Sequence, residues 1–354
     1  MNNDGSGARS EQTKNYAASV RARLLARTRA EKGDFGQVLT RFALERLLWR
    51  LSVSSHAERF LLKGAMLFAL WMDTPHRPTR DLDLLGAGDP SVDELAGVFR
   101  ALCAIPAPED GLVFDAGSVT AAAIREDNLY GGVRVQIAAT LGNARIPLQI
   151  DVGFGDSVVP APEPVAYPTL LDLPHLPAPQ LRAYRRETVV AEKFEALVTL
   201  GLMSSRMKDF YDLFTLAERF DFDGPELARA IRATFVRRGV PLPSPEAPPV
   251  GLTEVFAHEG GKRQQWAAFI KRLGTNAPAP LDLTEVVRGI AAFLLPLLPV
   301  LQSLQSEPGE SSSSTGGSIA PGATGATGAT FFWKAGGPWT SKESSKSADE
   351  EIRS

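Results

Sequence analysis

Apolar positions along this chain follow two periodicities, and they change over near its middle. Between Gln37 and Leu51, Val38, Phe42, Leu44, Leu48 and Leu51 recur at helical spacing. Arg41, Glu45, Arg46 and Arg50 populate the other sides, so the pattern predicts an amphipathic helix with a basic surface. Phe60 to Met72 is a second apolar segment, interrupted early by Gly64. Asp81-Leu82-Asp83-Leu84 then alternates as a half-buried strand does. Val133 to Leu141 and Ile146 to Val152 alternate as well, and the turn signal Gly142-Asn143 between them predicts a hairpin. Proline density rises from Pro160 to Pro179, which marks a linker or an extended wrap. Beyond it the spacing is helical over Thr188–Met203, Lys208–Phe220, Gly224–Arg238, Leu252–Leu273 and Leu281–Leu301.

The end of the chain has a different character. Ser306 to Thr330 carries a serine run and three tandem Gly-Ala-Thr units, a composition that packs no core and predicts disorder. Phe331, Phe332, Trp333 and Trp339 follow as an aromatic island, expected to dock on this chain or on a partner.

With 354 residues, 44% of them hydrophobic, the chain is long enough for two folded domains. The formal net charge of -3 excludes a polybasic nucleic-acid coat, but the charge is unevenly placed. Arg21 to Lys63 holds 10 basic and 4 acidic residues, whereas Asp73 to Glu163 holds 6 basic and 14 acidic. Such a pairing suits either two ordinary solvated faces or a protein that handles a polyanion through metal ions. Cys103 is the single cysteine, so no internal disulfide and no Cys-based zinc site is expected. The apolar run Ile290 to Leu301 contains Pro296 and Pro299 and reads as too short for a bilayer span, and the polar first thirty residues hold no signal-peptide core. A cytoplasmic location with no membrane partner is the expectation.

Asp81 and Asp83 project from one face of their strand, a few ångströms apart. Two carboxylates that close repel unless well solvated or bridged by a cation, and Mg²⁺ is the hard ion that suits carboxylate and phosphate oxygens. An Asp-x-Asp also occurs in many exposed turns, so its surroundings decide. Upstream, Lys63-Gly64-Ala65 ends an apolar run where a helix is expected to start, and a glycine there lets backbone N–H groups approach a phosphate. Downstream, Asp151 sits on a strand opposite in face to Leu148 and Ile150, as a third carboxylate or as a strand-end cap. In the helix opening at Lys208, Asp209 and Asp212 share a face. An antiparallel return from the preceding helix would bring Lys193 near them, either as a salt bridge joining two helices or as part of a site. The histidines His56, His76, His175 and His258 are scattered without ligand spacing, Ser54-Ser55-His56 lacks a nucleophile elbow, and no Gly-Lys-Ser/Thr follows Gly131-Gly132. The histidines read as ordinary surface or packing residues, the serines argue against a serine hydrolase, and a Walker-type NTPase is excluded.

The order of a glycine-led segment, an Asp-x-Asp strand and a later apolar-Asp-apolar strand resembles the polymerase-β-like nucleotidyltransferase superfamily. The blocks Arg41-Phe42-Ala43-Leu44-Glu45-Arg46-Leu47-Leu48, Leu62-Lys63-Gly64-Ala65, Arg77-Pro78-Thr79-Arg80-Asp81-Leu82-Asp83-Leu84, Glu192-Lys193-Phe194-Glu195-Ala196-Leu197 and Lys208-Asp209-Phe210-Tyr211-Asp212-Leu213 narrow it. Together they resemble the AbiEii/AbiGii toxin family over roughly Arg21 to Leu298, and Trp333 to Trp339 is similar to its Trp-containing end.

The resemblance implies an α+β fold: a nucleotidyltransferase domain with a mixed sheet, flanking helices and basic N-terminal helices over residues 1–165. An α-helical domain over 166–305 and a flexible tail over 306–354 would follow. It implies a toxin that uses NTP and two Mg²⁺ ions to add nucleotides to an RNA acceptor, tRNA 3′ ends, with a cognate antitoxin as partner. Asp81, Asp83 and Asp151 would hold metal, and Lys63, Gly64, Ala65 and Lys193 the triphosphate. Asp209 and Asp212 would complete the active site, and Thr79 would be a control point open to phosphorylation. Ala65 departs from the superfamily, which often has Ser or Gly there, so phosphate contact at that position falls to the backbone. The basic N-terminal region is the expected RNA track. Nucleotide transfer onto a protein hydroxyl is the competing enzyme reading. A lapsed nucleotide- or antitoxin-binding module is the non-enzyme one.

Overall fold

The computed structural model describes residues 5–124, 131–273, 282–305, 331–333 and 340–341. The chain folds as two compact units that divide between Arg185 and Arg186.

The first unit opens with α1 (Gly5–Ala30) and α2 (Phe35–Ser52). Among the described side chains of α1, Ala17, Val20, Leu24 and Thr28 are buried, a stripe too thin to stand out in an Arg-rich segment. Asp34 starts α2 by accepting the Gln37 N–H at 2.7 Å. The helix has the expected extent but not the expected basic surface. Glu45, Arg46 and Arg50 are 1%, 1% and 2% exposed. Asp110, wholly buried, takes Arg50 Nη1 at 2.7 Å and lies 3.5 Å from Arg46 Nε. Arg46 Nη1 donates to the Pro177 carbonyl at 2.8 Å. A charge buried without a partner costs several kcal/mol, so these ions are retained by one another and by backbone. The expectation that Arg46 and Arg50 belong to an RNA track is therefore corrected: they are internal.

The sheet is built from β1 (Phe60–Lys63), β2 (Asp81–Gly86), β3 (Leu112–Ile124), β4 (Gly132–Leu141), β5 (Ala144–Phe154), β6 (Glu163–Ala166) and β7 (Gln180–Ala183). A 3₁₀ turn, Gly64–Leu67, and the four-residue α3 (Phe68–Trp71) follow β1 where a longer helix is expected. The helix α4 (Val92–Cys103) follows β2. Strand order is β3-β4-β5-β2-β1-β7-β6, with β2 parallel to β5 and antiparallel to β1, so the sheet is mixed. One face carries Leu62, Leu82, Leu84, Val135, Ile150 and Val152, all buried, and α2 packs on β5 while α4 packs on β3. Each such side chain contributes roughly 1.5–3 kcal/mol when buried, so this face locks the register of the other. The hairpin of β4 and β5 turns at Gly142-Asn143 as expected, with Gly142 at φ +59°. The proline-rich stretch does not close the unit at residue 165, because β6 and β7 pair as a hairpin on the sheet edge and Tyr167 N–H donates to the Pro179 carbonyl at 2.8 Å.

The second unit contains α5 (Arg186–Leu200), α6 (Met207–Arg219), β8 (Phe222–Asp223), α7 (Gly224–Arg238), α8 (Glu254–His258), α9 (Gly260–Leu273), α10 (Leu283–Leu294) and α11 (Leu298–Gln305). The strands β9 (Phe331–Trp333) and β10 (Thr340–Ser341) complete it. The segment expected as one helix over Leu252–Leu273 breaks at Glu259, whose backbone is extended and whose carboxylate accepts the Lys262 N–H at 2.7 Å. Phe210 stacks on Phe256 at 4.8 Å and Phe194 lies 5.5 Å from Phe235 in the core. Among the described residues, the helical run Leu283–Ser303 is long and apolar enough to cross a membrane by length and composition, more than its prolines led one to expect. Its Val286, Ile290, Phe293 and Leu294 are buried in the unit's own core. β9 pairs with β8, Phe222 opposite Trp333, so the backbone of Phe331–Trp333 joins this unit. Trp339 and the Gly-Ala-Thr repeats lie outside the described residues.

Candidate active site

Strand register gathers the carboxylates of the first unit. Asp83 on β2 lies opposite Lys63 on β1 and opposite Asp151 on β5, and Asp151 lies opposite Arg134 on β4. Four adjacent strands thus present the row Arg134, Asp151, Asp83, Lys63 on one face, neighbours about 5 Å apart. Asp81 sits two residues before Asp83 on the same face, opposite Gln149.

Gly64 borders this row. Its φ is +72°, and a Cβ added there would stand 2.0 Å from Asp83 Oδ2. The glycine is thus required both by its left-handed backbone and by the approach of a carboxylate. Thr79 precedes β2, donating its hydroxyl proton to the Asp81 carbonyl at 3.1 Å and accepting the Asp81 N–H at 3.4 Å. That pair sets where the strand begins and so where Asp81 points.

Each end of the row holds a cation. Lys63 Nζ donates to Asp156 Oδ2 at 2.7 Å and lies 5.4 Å from the Tyr184 ring centroid. Arg134 holds Asp151 by two parallel bonds, Nε to Oδ1 at 2.8 Å and Nη2 to Oδ2 at 2.7 Å. The hydrogen bonds it donates to Asp151, then the charges of Asp151, Asp81 and Asp83, push the Arg134 guanidinium above its ordinary value. Arg134 is therefore tied electrostatically to all three aspartates.

Among the described residues, no three His, Cys, Asp or Glu side chains are gathered closely enough to hold a metal ion. Asp151, the expected third ligand, has both oxygens on Arg134. Asp81 and Asp83 are hard oxygen donors on one face, and Mg²⁺ is commonly bound by one or two carboxylates plus substrate phosphates. The pair fits such an ion.

In the second unit, the antiparallel return of α5 and α6 brings Lys193 Nζ to 2.6 Å from Asp209 Oδ1 and 2.9 Å from Asp212 Oδ2. Asp212 is wholly buried and Asp209 nearly so, so this is an internal ion cluster rather than a surface bridge. Cys103, half-buried, has its thiol pushed up to about 11 by burial, which leaves it unreactive.

Arg134 and Asp156 escape the sequence reading, and for Arg134 the signal is present. Counting back seven residues from Leu141 and forward seven from Ala144, across the Gly142-Asn143 turn, reaches Arg134 and Asp151. Asp156 follows β5 in irregular backbone, where no periodicity places it.

The mixed sheet carries Asp-x-Asp at the start of a central strand, with a glycine against the second carboxylate and a cation at each end of the row, an arrangement that suits the nucleotidyltransferase class. The model of the AbiEii nucleotidyl transferase toxin family, of type IV toxin–antitoxin systems, matches residues 46–292, and this chain belongs to that family. Two crystal structures from Helicobacter pylori are similar at 14% identity: JHP933, with a TM-score of 0.38, and a candidate nucleotidyltransferase, with 0.39. Each match covers 76% of this chain and 98% of the other. No curated protein matches the sequence.

Proposed function

We propose that this toxin transfers nucleotides from an NTP to an RNA acceptor, the 3′ ends of tRNA, in a Mg²⁺-dependent cytoplasmic reaction that blocks translation. The supporting observation is the row Arg134, Asp151, Asp83, Lys63 with Asp81 beside it and Gly64 against Asp83. In this reading Asp81 and Asp83 hold the metal, two ions in all, and Asp151 adds its charge while its oxygens seat Arg134. Bound Mg²⁺ supplies charge stabilisation on the transferring phosphoryl group and the leaving pyrophosphate.

The chain's own groups do the rest. Lys63, exchanging Asp156 for a phosphate oxygen, neutralises triphosphate charge at one end of the row. The lack of a side chain at Gly64 lets the backbone of Gly64-Ala65 approach that triphosphate. Lys193, with Asp209 and Asp212 orienting its ammonium, is assigned to the triphosphate by the family resemblance. No covalent nucleophile is required, because positioning and charge stabilisation account for phosphoryl-transfer catalysis. The cognate antitoxin is the expected protein partner.

The test incubates the protein with total tRNA, Mg²⁺ and each labelled NTP in turn and resolves the products on a denaturing gel. Labelled tRNA is expected with wild type and none with Asp81→Asn or Asp83→Asn, whose melting curves should match wild type. Label on RNA with either variant at the wild-type rate would sink the site assignment. Label on a protein band alone would sink the RNA acceptor.

A further inference from the structure

The face that carries the aspartates continues past them to the edge of the sheet. Two cross-strand rows lead outward over β5, β4 and β3. One runs Asp81, Gln149, Gln136, Thr120, and the other Asp83, Asp151, Arg134, Ala122. Thr120, Ala122, Arg134 and Gln136 are all exposed, while the alternate positions Val133, Val135 and Ile137 are buried on the other face. Along these rows Asp151 is the sole acidic group beyond the Asp81–Asp83 pair, and Arg134 neutralises it. The outward surface is thus polar, without net negative charge and studded with hydrogen-bond donors. Ala122 opposite Arg134 leaves room above the sheet there.

Arg134 is not consumed by its pair. A guanidinium carries five N–H donors, and the two-point bond to Asp151 uses two of them. With 43% of the side chain open to solvent, the remaining edge is presented to whatever lies on this face. The fork bond fixes its plane, which a lone exposed arginine would not have.

We propose that the open face of β3, β4 and β5 is the track of the single-stranded RNA acceptor, and that Arg134, seated by Asp151, binds a backbone phosphate beside the attacking hydroxyl. The inference rests on the nucleotidyl-transfer reading above. In-line displacement places the attacking oxygen and the leaving pyrophosphate on opposite sides of the phosphorus. With the triphosphate at the Lys63–Gly64 end of the row, the attacking strand comes from the opposite end, where Arg134 stands. Asp151 is then a positioning residue that acts through Arg134. Glutamines and a threonine suit sugar and phosphate oxygens without demanding a base sequence.

The test uses the full chain and a fluorescein-labelled single-stranded RNA with a 3′-deoxy end, which cannot be extended. Anisotropy titrations over a range of salt concentrations give its affinity, and a fluorescent NTP analogue gives the nucleotide's. Arg134→Gln should weaken RNA binding and reduce the slope of log affinity against log salt by about 0.7, one single-strand phosphate contact, with the analogue's affinity unchanged. Arg134→Lys should restore the slope but not the full affinity, because an ammonium cannot form the fork with Asp151. Asp151→Asn should weaken RNA binding while lowering Mn²⁺ affinity, read by paramagnetic resonance, far less than Asp83→Asn does. Wild-type RNA affinity and slope in Arg134→Gln would overturn the track and leave the transferase reading standing, as would loss of nucleotide affinity in its place. A loss of Mn²⁺ affinity in Asp151→Asn as large as that in Asp83→Asn would return Asp151 to the metal. A wild-type protein that binds the analogue but neither binds nor labels RNA would remove the RNA acceptor, and the track with it.

Discussion

Gly64 and Asp83 approach so closely that a Cβ on the glycine would overlap the aspartate's Oδ2, at 2.0 Å. Gly64→Ala therefore forces a movement of the carboxylate held to bind metal, and it places an L side chain at φ +72°, which costs about 1–2 kcal/mol. The variant should fold with a lowered melting temperature. It should also lose transfer by far more than its unfolded fraction explains. Full activity in Gly64→Ala would mean that the contact relaxes away from the site.

Lys193 in the second unit offers a test that separates fold from chemistry. Lys193→Met leaves Asp212 buried with its ammonium partner gone, a loss of about 3–5 kcal/mol in comparable pairs. Lys193→Met combined with Asp209→Leu and Asp212→Leu replaces the whole cluster by apolar groups and should recover much of that stability. If the cluster serves the triphosphate, the triple variant melts near wild type yet remains inactive. An active triple variant would reduce the cluster to a structural ion network.

The sheet's central strands were legible because alternation, the Gly142-Asn143 turn and Asp-x-Asp each impose a face. The shared face of Asp209 and Asp212 was legible from helical spacing, and Lys193 beside them from an antiparallel return of the two helices, although only the structure shows how deeply they are buried. Two things were not. β6 is a four-residue edge strand containing Pro164, and β7, equally short, lies between it and β1, so their pairing depends on a sheet that must already exist. Arg46 and Arg50 read as surface because a charged residue on a helix usually is. Their burial follows from Asp110, which arrives sixty residues later, beyond the reach of any local pattern.

That internal cluster supplies the next prediction. Asp110→Asn leaves two buried guanidinium groups facing a neutral amide, and the first unit should lose several kcal/mol, on the order of 3–5. Measured below its melting transition, the variant should bind RNA as wild type does, since Arg46 and Arg50 are enclosed. A selective loss of RNA affinity in folded Asp110→Asn would restore these arginines to the RNA track.

Thr79 bonds to both backbone groups of Asp81, which makes it a lever on the site. A phosphate on its hydroxyl would break that pair and bring close to two negative charges beside Asp81 and Asp83. Thr79→Glu should depress transfer strongly, whereas Thr79→Ser should keep it, and Thr79→Val should cost only about 1 kcal/mol of stability. Mass spectrometry of toxin purified with its antitoxin gene co-expressed checks the modification itself. Thr79→Glu at full activity would remove the electrostatic basis for such control.

Glu45 gives a prediction in pH. It is 1% exposed, its Oε2 accepts the Leu170 N–H at 2.7 Å, and burial pushes its carboxyl from 4.5 up to about 7 despite the Arg46 charge. The unfolded chain releases that proton near 4.5, so folding retains a proton the unfolded state has lost. The site's stabilising share is thus fully present below pH 4.5 and is lost as the pH rises through about 7. Glu45→Gln keeps an amide oxygen for Leu170 and buries no charge. Wild type and Glu45→Gln should melt together near pH 4.5, and the variant should gain steadily up to about pH 7 and then hold its lead. Each pH step of one between those two values adds about 1.4 kcal/mol, so the lead is on the order of 3 kcal/mol, or several degrees in melting temperature. A variant that melts below wild type at about pH 8 would show that the attraction between the Glu45 carboxylate and Arg46 outweighs the cost of burying it.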